Sequence, residues 1–588
     1  MFSVSEIAKA AVISLVLTVS ALVGAKLNLF GFEDATDAAS DDVFQTIQAG
    51  SYGADHVGQN RIRVVSIDEP GIEALRQQGW QGWPPGLDSL GIMIEDMVYT
   101  AATPPRAIFA DLVITGGSIA TDDDRAAFES LHASIADVTR AEAWREVPVC
   151  SSNPLVRIAC IVEAGGVPVI LAKPGGREQL ALTDAQRRLD SIAVLSPILV
   201  GARAYPLMET YDGDAIDGVR DFDLSPAAAL YAAHCLHAEL REGQRRVCGA
   251  IPGIPEAAAI ARAALSRSGD AASLDQAALQ RAWGTPAAVL WGDRMAERQT
   301  EIAQAVSSGA VPTCRGRMGV VERTARRMFS QLPQDTACAY AFNIGYDRLV
   351  AGFGLDEADY DWILSDRLVL IGSHMRNSDW APTPVHGQLP GVHYHAMALD
   401  NLVEMGADYR RVDSSWFSVD DVFVTLLTFV LLLSVILAVM VRNSLLEDIR
   451  PEWKDRRPLW VLALYYAALV LLVGGLTFLV ALAGYQWWNR AVINWLGIAA
   501  LAVGVLTMAG RITLITDVGG PLGWVDGLTR RLEFQDRRLS RRTAPEPEPE
   551  PDPEPSTPPR RRRGPASSSS RKPSGSPRPR RKPADART

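Results

Sequence analysis

The 588-residue chain lacks the short signatures that announce most enzymes. It has no phosphate-cradling GxxxxGK[ST] loop, no HExxH zinc helix, no GxSxG nucleophile turn and no kinase, cyclase or diguanylate cyclase block. These absences remove the usual signatures of nucleotide hydrolysis, zinc proteolysis and serine esterase chemistry, so no catalytic residue and no cofactor is expected. Cysteine is scarce, six in all. No close Cys–Cys or Cys–His spacing of the zinc-finger kind occurs among them. Charge is also missing where it would matter most. Residues 422–441, 459–485 and 491–510 are apolar windows without a charged side chain.

Each of those windows reaches the roughly 20 residues that a helix needs to cross the hydrocarbon layer of a bilayer. A fourth, residues 10–25, lies between Lys9 and Lys26 and continues apolar through Leu27, Leu29, Phe30 and Phe32. Lys26 can snorkel to a membrane surface, so residues 10–32 read as a retained anchor; a cleaved signal peptide is the alternative. Either way the following segment is exported.

Basic residues set the orientation. The 442–458 loop carries Arg442, Arg450, Lys454, Arg456 and Arg457. Residues 511–588 hold 18 Lys/Arg against 10 Asp/Glu, net +8; with −10 for the whole chain, residues 1–510 carry −18. Lys and Arg resist translocation, so this loop and this tail face the cytoplasm. Residues 1–9 then form a short cytoplasmic start, 33–417 an extracytoplasmic domain, 421–441, 459–485 and 491–510 three further spans, and the turn Gln486, Trp487, Trp488, Asn489, Arg490 faces outward. Cysteine placement agrees: Cys150, Cys160, Cys235, Cys248, Cys314 and Cys338 all fall in the exported domain, where an even set suggests disulfides. Sequence-adjacent pairing is the simplest connectivity, though spacing alone does not fix it.

The exported domain reads as α/β, a mostly parallel sheet with helices on both faces. Residues 62–67, 107–114, 167–172, 337–342 and 367–372 are short apolar runs of buried-strand type. Helical stretches separate them, at 87–99 and 123–138; Ala-rich helices are expected at 226–239 and 256–265, and a helical insertion over about 240–335. Residues 511–543 form a basic juxtamembrane segment suited to inner-leaflet headgroups. Residues 544–588, rich in Pro, Arg and Ser, cannot bury a core and read as a disordered cytoplasmic tail. Nucleic acid is not an expected partner, because a basic segment beside a span is better suited to lipid or protein.

Several motifs carry a family resemblance: a strand ending Ile67-Asp68, a Trp83-Pro84 turn, the Phe109-Ala110-Asp111 strand and the Asp122–Asp124 run. Toward the end come Leu370-Ile371-Gly372, Asp379, Thr383-Pro384, Pro390-Gly391-Val392, His395-Ala396 and Asn401-Leu402. Over roughly residues 40–405 the chain resembles the type 2 CHASE domain, an extracellular sensory module of bacterial transmembrane receptors. One span before and three after the domain are similar to that family's architecture. The family commonly has an Arg after its Trp-Pro turn, where this chain has Pro85-Gly86, which puts a role for that Arg in doubt.

The resemblance implies a receptor in the bacterial inner membrane. It would sense a small-molecule or protein cue outside and signal to a separate cytoplasmic effector through its tail. A non-enzymatic envelope scaffold is the alternative, and a homodimer remains open. Candidate ligand-binding residues are Asp68, Trp83, Asp111, Asp379 and His395. Asp68 and Asp111 follow buried strands at the edge where α/β sheets gather ligands; helix or turn capping is the competing role for each. Trp83-Pro84-Pro85 reads first as a packed turn, and Thr383-Pro384 and Pro390-Gly391 as turn chemistry. His393 and His395 would share a face on a strand, with Asp379 as a further oxygen ligand, but helix would separate them, and no metal is expected.

Overall fold

The computed structural model describes residues 4–26, 32–52, 56–77, 86–114, 119–151, 153–175, 182–198, 204–210, 222–244, 248, 251–266, 274–306, 339–351, 357–375 and 380–412, with short stretches between 425 and 499. Trp83, Asp379, Cys314, Cys338 and the 511–588 segment lie outside the described residues.

Among the described residues twelve strands occur, in chain order: β1 (Ile62–Ile67), β2 (Ala107–Ala110), β3 (Val169–Pro174), β4 (Val194–Ile198), β5 (Ala204–Tyr205), β6 (Met208–Thr210), β7 (Phe222–Leu224), β8 (Ala287–Ala288), β9 (Phe342–Gly345), β10 (Leu368–Ser373), β11 (Trp380–Thr383) and β12 (Gly387–Pro390). Six form one sheet in the order β4-β3-β2-β10-β1-β9, and every pairing in it is parallel. Every residue of β1, β2 and β9 is buried. Successive side chains of a strand point to opposite faces, so both faces of this sheet are covered. The β-branched runs predicted from the sequence supply that two-sided core. The pairs β5–β8, β6–β7 and β11–β12 are small antiparallel additions.

Helices connect the strands where the apolar period changes. Leu87–Tyr99 forms as predicted, and Asp122–Val138 opens with a capping box in which Thr121 and Asp124 bond each other's backbone N–H. Pro226–Leu240 and Ile254–Leu265 match the Ala-rich expectations, with proline in the first turn of each. Gln276–Trp283 and Glu297–Val306 are the further described helices of the insertion.

Some boundaries move. β2 stops at Ala110, because only the Asp111 N–H continues the ladder, to the Ile371 carbonyl. The strand expected at 337–342 begins only at Phe342. His393 and His395 lie on the helix Gly391–Met405 and not on a strand, so the shared face that a joint metal site needs does not exist.

Two disulfides join sequence neighbours, Cys150–Cys160 and Cys235–Cys248, with Cα–Cα separations of 5.9 and 5.6 Å. They fit an oxidising exterior. Replacing Cys150 and Cys160 together by Ala is expected to cost about 3 kcal/mol through loop-closure entropy. Urea midpoints of the variant and the oxidised parent check this; coincident midpoints refute it.

Helix Val4–Lys26 takes in residues 10–26 of the first predicted span, 10–32, and residues 27–31 lie outside the described residues. Among the described residues no helix is long and apolar enough to cross a membrane. The windows at 422–441, 459–485 and 491–510 are described only in pieces, of which 471–483 is the longest and is helical.

Candidate functional site

Three central strands deliver polar residues to one edge of the sheet. β1 ends at Ile67 and is followed by Asp68; β10 ends at Ser373 and is followed by His374, whose N–H extends the ladder to the Ile67 carbonyl (2.8 Å). Asp111 follows β2 in the same way, bonding Ile371 (2.8 Å). This is the carboxyl edge, where parallel sheets hold ligands.

Asp68 is fully buried, and its Oδ1 accepts from the Gly71 N–H (2.7 Å) in the first turn of helix Glu69–Gln77. The capping role weighed from the sequence is therefore real for one oxygen. The other, Oδ2, is buried without a hydrogen-bond partner, as is Oδ1 of Asp347 just beyond β9. A Cβ at Gly71 would stand 2.8 Å from Asp68 Oδ1 and 3.3 Å from Asp347 Oδ1, so both carboxyls converge on this glycine. Burial first, then the neighbouring Asp68, raises the Asp347 carboxyl above its ordinary range. The sequence reading missed Asp347, which has no motif around it.

Helix Gly391–Met405 lies against this edge. Gly372 permits the approach, since a Cβ there would meet Val392 Cβ at 2.5 Å. His393 Nε2 is 3.1 Å from His374 Nε2. His395 sits edge-on to Phe109 and Tyr205, at centroid distances of 5.4 and 5.6 Å. The Tyr205 hydroxyl accepts from the Ala227 N–H (3.1 Å) and shares a hydrogen bond with His395 Nδ1 (2.7 Å), while His395 Nε2 is buried without a hydrogen-bond partner. His395 thus packs on Phe109 of β2 and on Tyr205, while His393 turns toward His374.

Burial holds the His393 and His395 rings down at about 3, with His386 adding to the effect at His393. His234 is likewise at about 3, from burial first and then Arg106. Rings depressed below 6.5 contribute stability that is full above pH 6.5 and is lost as pH falls toward 3. Each then adds a slope of about 1.4 kcal/mol per pH unit across that window. The His395→Gln variant should show a shallower acid slope in melting midpoint between pH 6.5 and 4; an unchanged slope refutes this.

Among the described residues, the atoms of His237, Glu242 and Asp366 form the one trio close enough to hold a metal. Arg106 already bonds both acids and is itself buried, so the trio serves an ion-pair cluster.

A second polar cluster, unread in the sequence except for Asn401, joins the two ends of the domain. Helix Phe32–Tyr52 ends at Tyr52, whose hydroxyl donates to Asp400 Oδ2 (2.7 Å) and accepts from Asn401 Nδ2 (3.0 Å). The Asn401 amide also grips the Leu290 backbone, accepting its N–H (2.6 Å) and donating to its carbonyl (3.0 Å). His56 stacks on Tyr52 at 4.6 Å and lies 3.5 Å from Glu404. A Cβ at Gly58 would fall 2.3 Å from Asp400 Oδ1, so glycine is required here.

Helix Phe32–Tyr52 has a second partner. Ser40, Val43, Phe44 and Ile47, spaced as one helical stripe, meet Phe478, Ala481 and Leu496. Phe44 and Phe478 are 5.7 Å apart by centroid, and Ser40 Oγ accepts the Leu496 N–H (3.1 Å). On other faces, Gln45 Nε2 bonds the Val289 carbonyl (3.2 Å) and Thr46 Oγ1 the Pro384 carbonyl (3.1 Å).

No curated protein and no solved structure matches the chain. A family model does: the CHASE2 domain, over residues 12–439. The match takes in the parallel sheet, both polar clusters and the sequence flanking them on each side. CHASE2 domains are extracytoplasmic sensors, and this chain belongs to the CHASE2 domain family.

Proposed function

We propose that the chain is a multi-pass receptor of the bacterial inner membrane, in which residues 33–417 receive an envelope cue. Four spans, at 10–32, 421–441, 459–485 and 491–510, carry the signal to a tail that recruits a separate cytoplasmic effector. The observation that carries this reading is the double engagement of helix Phe32–Tyr52. One stripe touches Phe478, Ala481 and Leu496, and its end is tied to Asp400 and Asn401. Phe478 and Leu496 lie on either side of the turn 486–490, the turn that charge placement puts outside. A shift of helix Gly391–Met405 would thus move Phe32–Tyr52 against the spans. Ligand binding must favour one arrangement of these helices, because a ligand without such preference shifts nothing.

The test replaces residues 544–588 with a reporter cyclase and varies envelope conditions. Output should change with condition, and Phe44→Ala, which removes the ring facing Phe478, should abolish the change while leaving the chain in the membrane. Constant output under every condition, with partners retained throughout, supports the scaffold alternative instead.

A further inference from the structure

Beside the end of helix Gly391–Met405, and bordered by Leu402 of the last motif, lies a cavity of about 240 Å³. Helices Pro226–Leu240 and Gln276–Trp283 wall it with Tyr231 and Trp283, and the run Gly406, Ala407, Tyr409 and Arg411 closes one side. These walls are fixed. Trp283 Nε1 donates to the Pro252 carbonyl (3.3 Å), and the Tyr409 hydroxyl bonds Ala282 and Thr285 carbonyls (3.0 and 2.9 Å). Val412 N–H bonds the Pro286 carbonyl (2.9 Å), pinning the exit strand.

Three features specify an occupant. The aromatic pair Tyr231 and Trp283, with centroids 6.2 Å apart, offers an apolar floor for a planar group. The Tyr231 hydroxyl is buried and has no hydrogen-bond partner, which a native protein rarely leaves so without a ligand or water to complete it. The lining contains Arg281 and Arg411 and no acid. Arg281 is 73% exposed, with its nearest acid, Asp275, only grazing it at 4.0 Å; Arg411 lies over the Tyr409 ring at 5.2 Å. The lining thus carries two cations and no anion, the charge balance that suits a carboxylate.

Size narrows the class. An apolar cavity of about 150 Å³ suffices for benzene, so this one admits a single ring with an acid group. Longer amphiphiles such as fatty acids share that chemistry but demand more room.

We propose that this cavity binds a small aromatic carboxylate, its acid group at Arg281 and Arg411 and its ring against Tyr231 and Trp283. Leu402, Gly406 and Tyr409 lie in the stretch leading from helix Gly391–Met405 toward the span at 421–441. Occupancy is thereby coupled to the relay, a role that rests on the receptor reading above.

The test uses the full chain in lipid nanodiscs, with benzoate as probe, benzamide as its neutral isostere and octanoate for the fatty-acid class. Benzoate should raise the melting midpoint saturably, by about 2 °C at ten times its dissociation constant, and benzamide should not. Arg281→Gln combined with Arg411→Gln should remove the shift, and so should Ala278→Phe, which fills the cavity without touching either charge. No saturable shift up to about 10 mM benzoate overturns the site, as do equal shifts from benzamide or shifts that survive both variants. A larger shift from octanoate than from benzoate overturns the aromatic class. Benzoate binding that leaves the reporter output unchanged keeps the site and removes its role as input. Reporter responses to other cues without benzoate binding overturn the site and leave the receptor reading intact.

Discussion

Replacing Asp400 by Asn is expected to stabilise the domain at pH 8 by up to about 4 kcal/mol and to change it little at pH 4. Asp400 is fully buried, and burial is the main cause that lifts its carboxyl to about 7; Glu404 adds to the rise, while Tyr52, His56 and Tyr340 oppose it. A carboxyl raised in the folded state favours folding in its protonated form. That contribution is full below the unfolded value near 3.8 and is lost as pH rises through 7. Asparagine stays neutral throughout. Its Oδ1 can accept from Tyr52 as Asp400 Oδ2 does, and its amide N–H can fill the place of the unpartnered Asp400 Oδ1. The stability difference between variant and parent should therefore widen steadily from pH 4 to pH 7 and then level off. Melting midpoints across that range decide it, and a difference independent of pH defeats the argument.

An Asp400 carboxylate forming inside the junction is opposed by Glu404 and favoured by the Tyr52 hydroxyl, His56 and Tyr340. The slope has the opposite sign to that of the buried histidines. Between pH 4 and 6.5 Asp400 loses stability with rising pH while His234, His393 and His395 gain it, so the variant isolates a term that the parent's profile hides.

Much of the scaffold was legible because its determinants are local. Residues 62–67 form β1 over the predicted span, since four of the six, Ile62, Val64, Val65 and Ile67, are β-branched and apolar. Thr121 to Asp124 announces its helix by capping chemistry alone. β4 escaped prediction for a physical reason: it contains Pro197, which argues against a strand. β4 lies at the sheet edge, where proline is tolerated. β9, the other edge strand, was misplaced because polar Asn343 interrupts its apolar pattern. Of the motif residues, Asp68 and Asp111 do follow β1 and β2 at the carboxyl edge, because those strand ends were readable, while His395 lies on helix Gly391–Met405 against Phe109 and Tyr205. The junction was not readable, since Tyr52, Gly58 and Asp400 meet only through tertiary packing. Asp400 in particular looks like any acid on an amphipathic helix until Gly58 is seen pressed against it.

Asp223→Ala is expected to cost about 3–5 kcal/mol. Asp223 lies on β7 and is fully buried; Lys173, near the end of β3, pairs with it and is itself 8% exposed. Removing the acid takes away the ion-pair partner of an ammonium group in a site that water reaches poorly, and the lost pairing dominates the loss. Truncating both partners is a different experiment. Lys173→Met with Asp223→Leu replaces the pair by apolar groups of similar volume, and buried pairs exchanged in this way are often near neutral. The double variant should therefore recover most of what Asp223→Ala loses. The location gives the pair a further consequence: Lys173 faces Pro197 in the β3–β4 register, and Asp223 faces Glu209 in the β6–β7 hairpin. The ion pair fastens that hairpin to the carboxyl edge of the sheet. Hydrogen exchange in Asp223→Ala should accelerate first in β6 and β7, before the central strands β1 and β10. A loss under about 1 kcal/mol in the chemical denaturation of Asp223→Ala, or exchange that rises uniformly across the sheet, would show that the hairpin is held by packing alone.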